Sequence, residues 1–353
     1  MTEQWDFDSL DIGPDGHPAA PLCQLRLSDW FDAPGEEISK AASAIRRSLR
    51  LTIGITSEAP PQRVRPLVEA LTLTLCSPEV LPPSHELIQV PELEGGYESL
   101  RAAVAEKPQA AVALGLLLRQ TPSLETAPAL AAEAAVYSML LGGREFADWS
   151  SGAGQRRAAT HLPASHVQLQ RSGNRLNVQL DHPQRHNALS VAMREELFCA
   201  LELAVLDEQI KGVEISGAGD SFCSGGDLAE FGTAVDLVAA YLVRLDRAPW
   251  RLMDNLRDRL DEQLSVRVHG AAIGAGAELA AFGGRVTCTQ ATYFQLPELS
   301  MGLVPGAGGT VSITRRIGRW RAAWAMLTGQ RIDADTALRW GLVDEIEPSE
   351  PES

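Results

Sequence analysis

In the second half of the chain, apolar and polar positions alternate in short runs and then change to helical spacing. The segment "HVQLQRSGNRLNVQLDHP" alternates on both sides of Ser172-Gly173-Asn174, which predicts two strands joined by a tight turn. In "SVAMREELFCALELAVLDE", Met193, Leu197, Leu201 and Ala204 recur at helical spacing behind Ser190, a good N-cap. The apolar run "GVEISGAG" from Gly212 then predicts a short buried strand. A second round follows: a helix over Asp236 to Gln263, the strand "LSVRVHG", a glycine-rich loop, and a helix from about Ala277. Strand, helix and strand in succession predict right-handed crossovers and an α/β fold.

The first half carries an echo of that order. "RLTIGIT" from Arg50 reads like "RLNVQLD" from Arg175, and "ELIQVP" from Glu86 falls opposite "GVEISG" from Gly212, with a helix expected between the strands of each pair. Two βαβ units can also resemble each other by chance. After Gly96 the pattern becomes mostly helical, in "SLRAAVAEKPQAAVALGLLLR" and "APALAAEAAVYSMLLGGREF". The stretch Asp148 to His166, small and polar and then basic, marks a seam. The predicted organisation is an N-terminal region 1–149, a linker 150–163, a domain 164–347 and a disordered acidic tail 348–353.

Composition narrows the partners. The 353 residues carry a formal net charge of -15, which argues against nucleic acid or an anionic membrane as the main partner. No apolar run reaches the length of a membrane span, and the acidic N-terminus lacks the order of a signal peptide. Five scattered cysteines without a CxxC fit free thiols in a reducing cytoplasm and give no metal site.

The candidate chemistry lies in three small-residue turns. "GAGDSFCSGGDLAEF" and "VHGAAIGAGAELAAF" each follow a strand and open toward a helix, leaving backbone amides free to bind negative charge. Two such amides at one point would form an oxyanion hole, although either turn alone is equally a structural one. Glu278 follows the second turn; it either caps its own helix start or serves as an acid or base. In "YFQLPELSMGLVPGAGGT", Glu298 stands in apolar company, at a solvated strand end or in a dry pocket. In a dry pocket near Glu278, one of the two would hold its proton at neutral pH. His182, His186 and His269 form no triad pattern, and Cys223 has no assigned role.

In these segments, and in "DHPQRHNALS" and "LTGQRIDADTALRWGLVDEI", the chain resembles the crotonase (enoyl-CoA hydratase/isomerase) superfamily from about His166 to Glu347. The resemblance implies a spiral of ββα turns in the C-terminal half and an acyl-CoA thioester substrate. No cofactor is needed beyond the coenzyme A of that substrate. It implies an oxyanion hole from the amides of Gly226 and Ala275, and Glu278 and Glu298 as the two carboxylates that hold and activate water. Arg185, Ser224, Gly225, Asp227 and Gly306 would border the substrate. Two carboxylates favour a hydratase; an isomerase, a thioester hydrolase and a non-catalytic acyl-CoA binding subunit are the alternatives. A homo-oligomer, trimer or hexamer, is the family habit.

Some positions depart from the family pattern. Ala275 replaces a frequent Gly, Ala229 a frequent Lys or Arg near the CoA phosphates, and Gly284 a frequent Asp. Contacts to CoA would then fall to Arg171, Arg175 or Arg185. The segment Leu100–Trp149 resembles the helices that follow the core in other members, with Leu130, Glu133, Leu140 and Phe146 in the expected order. The N-terminal half therefore reads as a degenerate copy of the fold. Residues 97–149 are expected to cover the acyl pocket, in the same chain or a neighbouring subunit; the alternative is an independent helical domain joined by the Ser150–Gly154 linker.

Overall fold

The computed structural model describes residues 9–80, 84–152 and 165–348. Most of the expected linker and all but the first residue of the expected acidic tail lie outside the described residues. The N-terminal half opens with β1 (Leu22–Arg26), α1 (Gly35–Arg47), β2 (Leu51–Thr56), α2 (Arg65–Ala70), β3 (Leu73–Cys76) and β4 (Leu87–Gln89). These strands form a four-stranded parallel sheet in the order β1-β2-β3-β4. β2 reads as an apolar run because both faces of a parallel sheet are covered. On one face lie Ile38, Ala42 and Ile45 of α1 with Leu67 of α2. The other face meets α3 (Leu93–Glu106) and α4 (Pro108–Gln120), and Gly115 lets α4 approach Leu51 where any side chain would collide. The echo seen in the sequence is offset by one strand: β3, not β4, is the neighbour of β2. β1 also runs parallel to β2, whereas the matching pair in the second half is an antiparallel hairpin.

Two further helices, α5 (Thr126–Leu141) and α6 (Arg144–Gly152), complete the first half. The second half begins with β5 (Val167–Ser172) and β6 (Arg175–Leu180), paired antiparallel across a turn with Gly173 at φ +60°. Next come α7 (Val191–Leu206), β7 (Gly212–Gly217), α8 (Leu237–Asp246), α9 (Pro249–Leu260) and β8 (Leu264–Val268). The Ser190 hydroxyl caps α7 as expected, accepting from the amide of Met193 at 3.2 Å. The expected single helix 236–263 is broken before Pro249, which has no amide to continue the ladder and pushes Ala248 into an extended conformation. Pro108 separates α3 from α4 in the same way.

The chain then adds β9 (Ala271–Ile273), α10 (Ala275–Ala280), β10 (Arg285–Thr289), β11 (Tyr293–Gln295) and α11 (Gly309–Thr328). α11 changes direction at Gly318, whose backbone is non-helical. The last elements are β12 (Ile332–Asp333), α12 (Ala334–Trp340) and β13 (Glu345–Glu347). The main sheet has the order β13-β10-β8-β7-β6-β5, parallel except for β5, and β12-β11-β9 form a small second sheet. α10 starts at Ala275, two residues before the position expected from sequence.

A single apolar core crosses from one half to the other, running from Leu51 and Ile53 through Leu114, Leu130 and Phe146 to Leu303 and Ile313. Thr121 on the first half donates from its hydroxyl to the Thr310 carbonyl at 3.0 Å. Gly302, at φ +72°, brings the second half against the backbone of Glu145 and Phe146, 2.8 Å from where a Cβ would stand. Expressed alone, residues 160–353 would expose this shared core and are expected to aggregate, as size-exclusion chromatography would detect. A monodisperse fragment with a cooperative melt would contradict the shared core.

Candidate active site

The two glycine-rich turns lie side by side. Cys223 and Ala272 form a parallel bridge, and the Ile273 amide donates to the Cys223 carbonyl at 2.9 Å. Gly225, at φ +94°, packs so closely that a Cβ would stand 2.9 Å from the Ile273 carbonyl oxygen and 3.8 Å from the Ala275 nitrogen. Beyond this contact the amides of Gly226 and Ala275 donate to no protein acceptor among the described residues. Both residues line one cavity of about 660 Å³. Two unpaired amides on adjacent turns can bind an oxygen that gains negative charge.

Glu278 and Glu298 line the same cavity. Glu278 sits in α10 behind the turn, 1% exposed, and its Oε2 accepts from the amides of Ala307 and Gly309, each at 2.7 Å. It therefore caps the start of α11 and not its own helix. Gly309 is required here, since a Cβ would stand 2.7 Å from the Glu278 Cγ. Glu298 opens a short 3-10 turn after Pro297 and is 7% exposed, so it lies in a dry pocket and not at a solvated strand end. Its Oε1 rests against Gly274, 2.5 Å from where a Cβ would be, which explains the bare turn ahead of Glu278. Its Oε2 is buried with no hydrogen-bond partner among the described residues.

A third carboxylate comes from the first half. Glu133 of α5 is 2% exposed and accepts from the amide of Gly308 at 2.6 Å and from the amide and hydroxyl of Thr310 at 2.9 and 2.7 Å. The sequence named it only through the resemblance of Leu100–Trp149 to the helices that follow the core in other members, with no role attached. Tyr137 and Leu141, also on α5, line the cavity, as does Arg244 on α8. The Arg244 guanidinium lies 4.1 Å over the Tyr137 ring and donates to the Gly306 carbonyl at 3.3 Å. No sequence pattern marked Tyr137 or Arg244.

Of the expected substrate-binding residues, Gly306 and Asp227 line the cavity, while Arg185, Ser224 and Gly225 do not. Arg185 is drawn to Asp227 at 2.5 Å, Ser224 donates to the Arg185 carbonyl at 3.4 Å, and Gly225 is spent on the packing of the turns. Arg171 is tied to Asp207 at 2.6 Å and Arg175 to Gln263 at 3.3 Å, and neither lines the cavity. Burial pushes the Cys223 thiol up to about 11, which leaves it unreactive.

Burial raises all three carboxyls. Glu278 is raised to about 7, with the Ala307 and Gly309 amides pulling it back toward the charged form. Glu133 is raised to about 8 by burial and by the charge of Glu278. Glu298 is raised well above the ordinary range, again by burial first and then by the charge of Glu278. Lacking a donor to its Oε2, Glu298 is the natural holder of a proton.

The folded state binds these protons more tightly than the unfolded chain. Stability is therefore complete below the ordinary value of 4.5 and is lost as pH rises through about 7 to 8. Glu298→Gln removes one of the ionising groups, so urea unfolding at pH 5 and pH 8 is expected to show the variant gaining on wild type at the higher pH. An unchanged difference between the two pH values would mean that Glu298 ionises without cost.

Comparison with known proteins matches residues 171–351 to the enoyl-CoA hydratase/isomerase family. A probable enoyl-CoA hydratase of Rhizobium meliloti is 31% identical over 48% of this chain and 63% of its own length. The 2,3-dehydroadipyl-CoA hydratase of Escherichia coli is 35% identical over 50% of this chain and 66% of its own. A trans-2-decenoyl-[acyl-carrier-protein] isomerase of Streptococcus mutans is 32% identical over 49% and 65%. The chain thus spans just under two thirds of the length of these relatives. The solved structure of an enoyl-CoA hydratase from Thermoplasma volcanium is 27% identical, covers 52% of this chain and 72% of that one, and has a TM-score of 0.45. The turns that carry Gly226, Ala275, Glu278 and Glu298 fall within the matched residues, and the chain belongs to the enoyl-CoA hydratase/isomerase family.

Proposed function

We propose that the protein adds water across the α,β double bond of a 2-enoyl-CoA thioester. One observation carries this reading: two buried carboxylates, in different hydrogen-bonding surroundings, border the same cavity as two unpaired backbone amides. Shifting a double bond needs one proton carrier, whereas adding water draws on two. Relatives named as hydratases support the same reading.

The thioester oxygen would lie on the amides of Gly226 and Ala275. Glu278 has one oxygen occupied by two amides, which favours its ionised form, and its other oxygen would take a proton from water. As the water oxygen bonds to the β-carbon, the electron pair of the double bond moves toward the thioester oxygen and forms an enolate on the two amides. Glu298 would then give its proton to the α-carbon. The cycle leaves the proton on Glu278 instead of Glu298, and exchange between the two carboxyls restores the starting state. All protons are moved by protein groups, so the reaction calls for no cofactor beyond the coenzyme A of the substrate. The walls formed by α5 and α8 would keep bulk water out, which strengthens each electrostatic contribution.

The test is loss of the enoyl absorbance with 2-enoyl-CoAs of several chain lengths. Glu278→Gln and Glu298→Gln are each expected to lower kcat by roughly 10²–10⁴, the usual effect of a positioned acid or base. A wild type that shifts the double bond of these substrates without adding water would reject the hydratase reading in favour of isomerisation.

A further inference from the structure

The turn between β11 and α11 sends its amides in two directions. Ala307 and Gly309 donate to Glu278, while the intervening Gly308 and the following Thr310 donate to Glu133. Successive N–H groups in a turn of this kind point alternately to opposite sides, and Gly308, at φ +93°, supplies the backbone conformation that allows it. The two carboxylates thus hold one strip of backbone from either side. Both oxygens of Glu133 are occupied, by three donors in all, and Glu133 does not line the cavity. Glu278 takes both of its bonds on Oε2 and does line the cavity.

We propose that Glu133, carried by the N-terminal half, is a positioning residue for Glu278: it fixes the 307–310 turn in the arrangement whose alternate amides aim the Glu278 carboxylate. The proposal rests on the reading of Glu278 as the water-activating base, and it adds that the site is incomplete without a residue from outside the family-matched segment. With Glu133 gone, two buried amides have no acceptor, and the turn would rotate to find one. Ala307 and Gly309 would then leave Glu278. The amides of Gly226 and Ala275 and the α8 wall stand on other elements, so binding would suffer less than turnover. A misplacement of about 1 Å in a catalytic group costs on the order of 10²-fold in rate.

The experiment uses the full-length chain. Glu133→Gln keeps the shape but turns one acceptor into a donor facing an amide. It is expected to lower kcat for a 2-enoyl-CoA by roughly 10–100-fold with KM changed by less than about threefold. It is also expected to speed amide hydrogen exchange at Ala307 and Gly309, which Glu133 does not touch. Thr310→Val removes one of the three donors and is expected to shift both readouts in the same direction by a smaller amount. It carries the test should Glu133→Gln fail to fold. Unchanged kcat, or exchange that quickens only at Gly308 and Thr310, would overturn the proposal. A wild type that turns over no enoyl-CoA would reject the hydratase reading instead, and exchange at Ala307 and Gly309 would still decide whether Glu133 holds the turn.

Discussion

Four consecutive backbone amides at the start of α11 are the constraint on which the site depends. A buried carboxylate costs several kcal/mol in lost hydration unless donors replace the water. Hydrogen bonds to a charged group each return about 1.5–3 kcal/mol. The Oε2 of Glu278 receives two such donors and Glu133 receives three, which pull both back toward the charged form against the effect of burial. Glu298 has an oxygen with none. The cheapest state for the cluster keeps a proton on Glu298, which leaves one acid and one base facing the same cavity. The proposed division of roles follows from where the donors are.

The same strip of backbone ties the two halves of the molecule together. Family-matched residues supply the amides and two of the carboxylates, but α5 comes from the other half and brings Glu133 and Tyr137. Gly306 lies so close to the Tyr137 ring that no side chain would fit there, and Gly308 lies against Phe282 and Leu130. These glycines permit a tight turn and also let helices from the first half seat directly on it. The apolar core that runs through both halves has the same consequence on a larger scale.

The sequence made legible those features that depend on local pattern. The β5–β6 hairpin was marked by alternation around Gly173, α7 by its spacing and by Ser190, and the turns that carry Gly226 and Ala275 by glycines at strand ends. Glu278 and Glu298 stood out as acids among small or apolar residues. Long-range packing was not legible in this way. The four-residue β3 was hidden inside a span expected to be helical, because a strand that short has no usable period. Arg185 was expected at the substrate and is instead paired with Asp227, since the neighbour that claims a guanidinium is set by the fold. Glu133 was named only through the resemblance of its segment to helices of other members, and its partners lie about 175 residues downstream, beyond any local pattern.

The most direct measurement is a crystal structure of the full chain with a saturated acyl-CoA in the cavity. The account predicts the thioester oxygen within hydrogen-bond distance, about 2.7–3.2 Å, of both the Gly226 and Ala275 nitrogens. It also predicts the carboxylate of Glu278 and the carboxyl of Glu298 beside the carbons that follow the thioester. An acyl group bound elsewhere, or a thioester oxygen turned away from both amides, would contradict it.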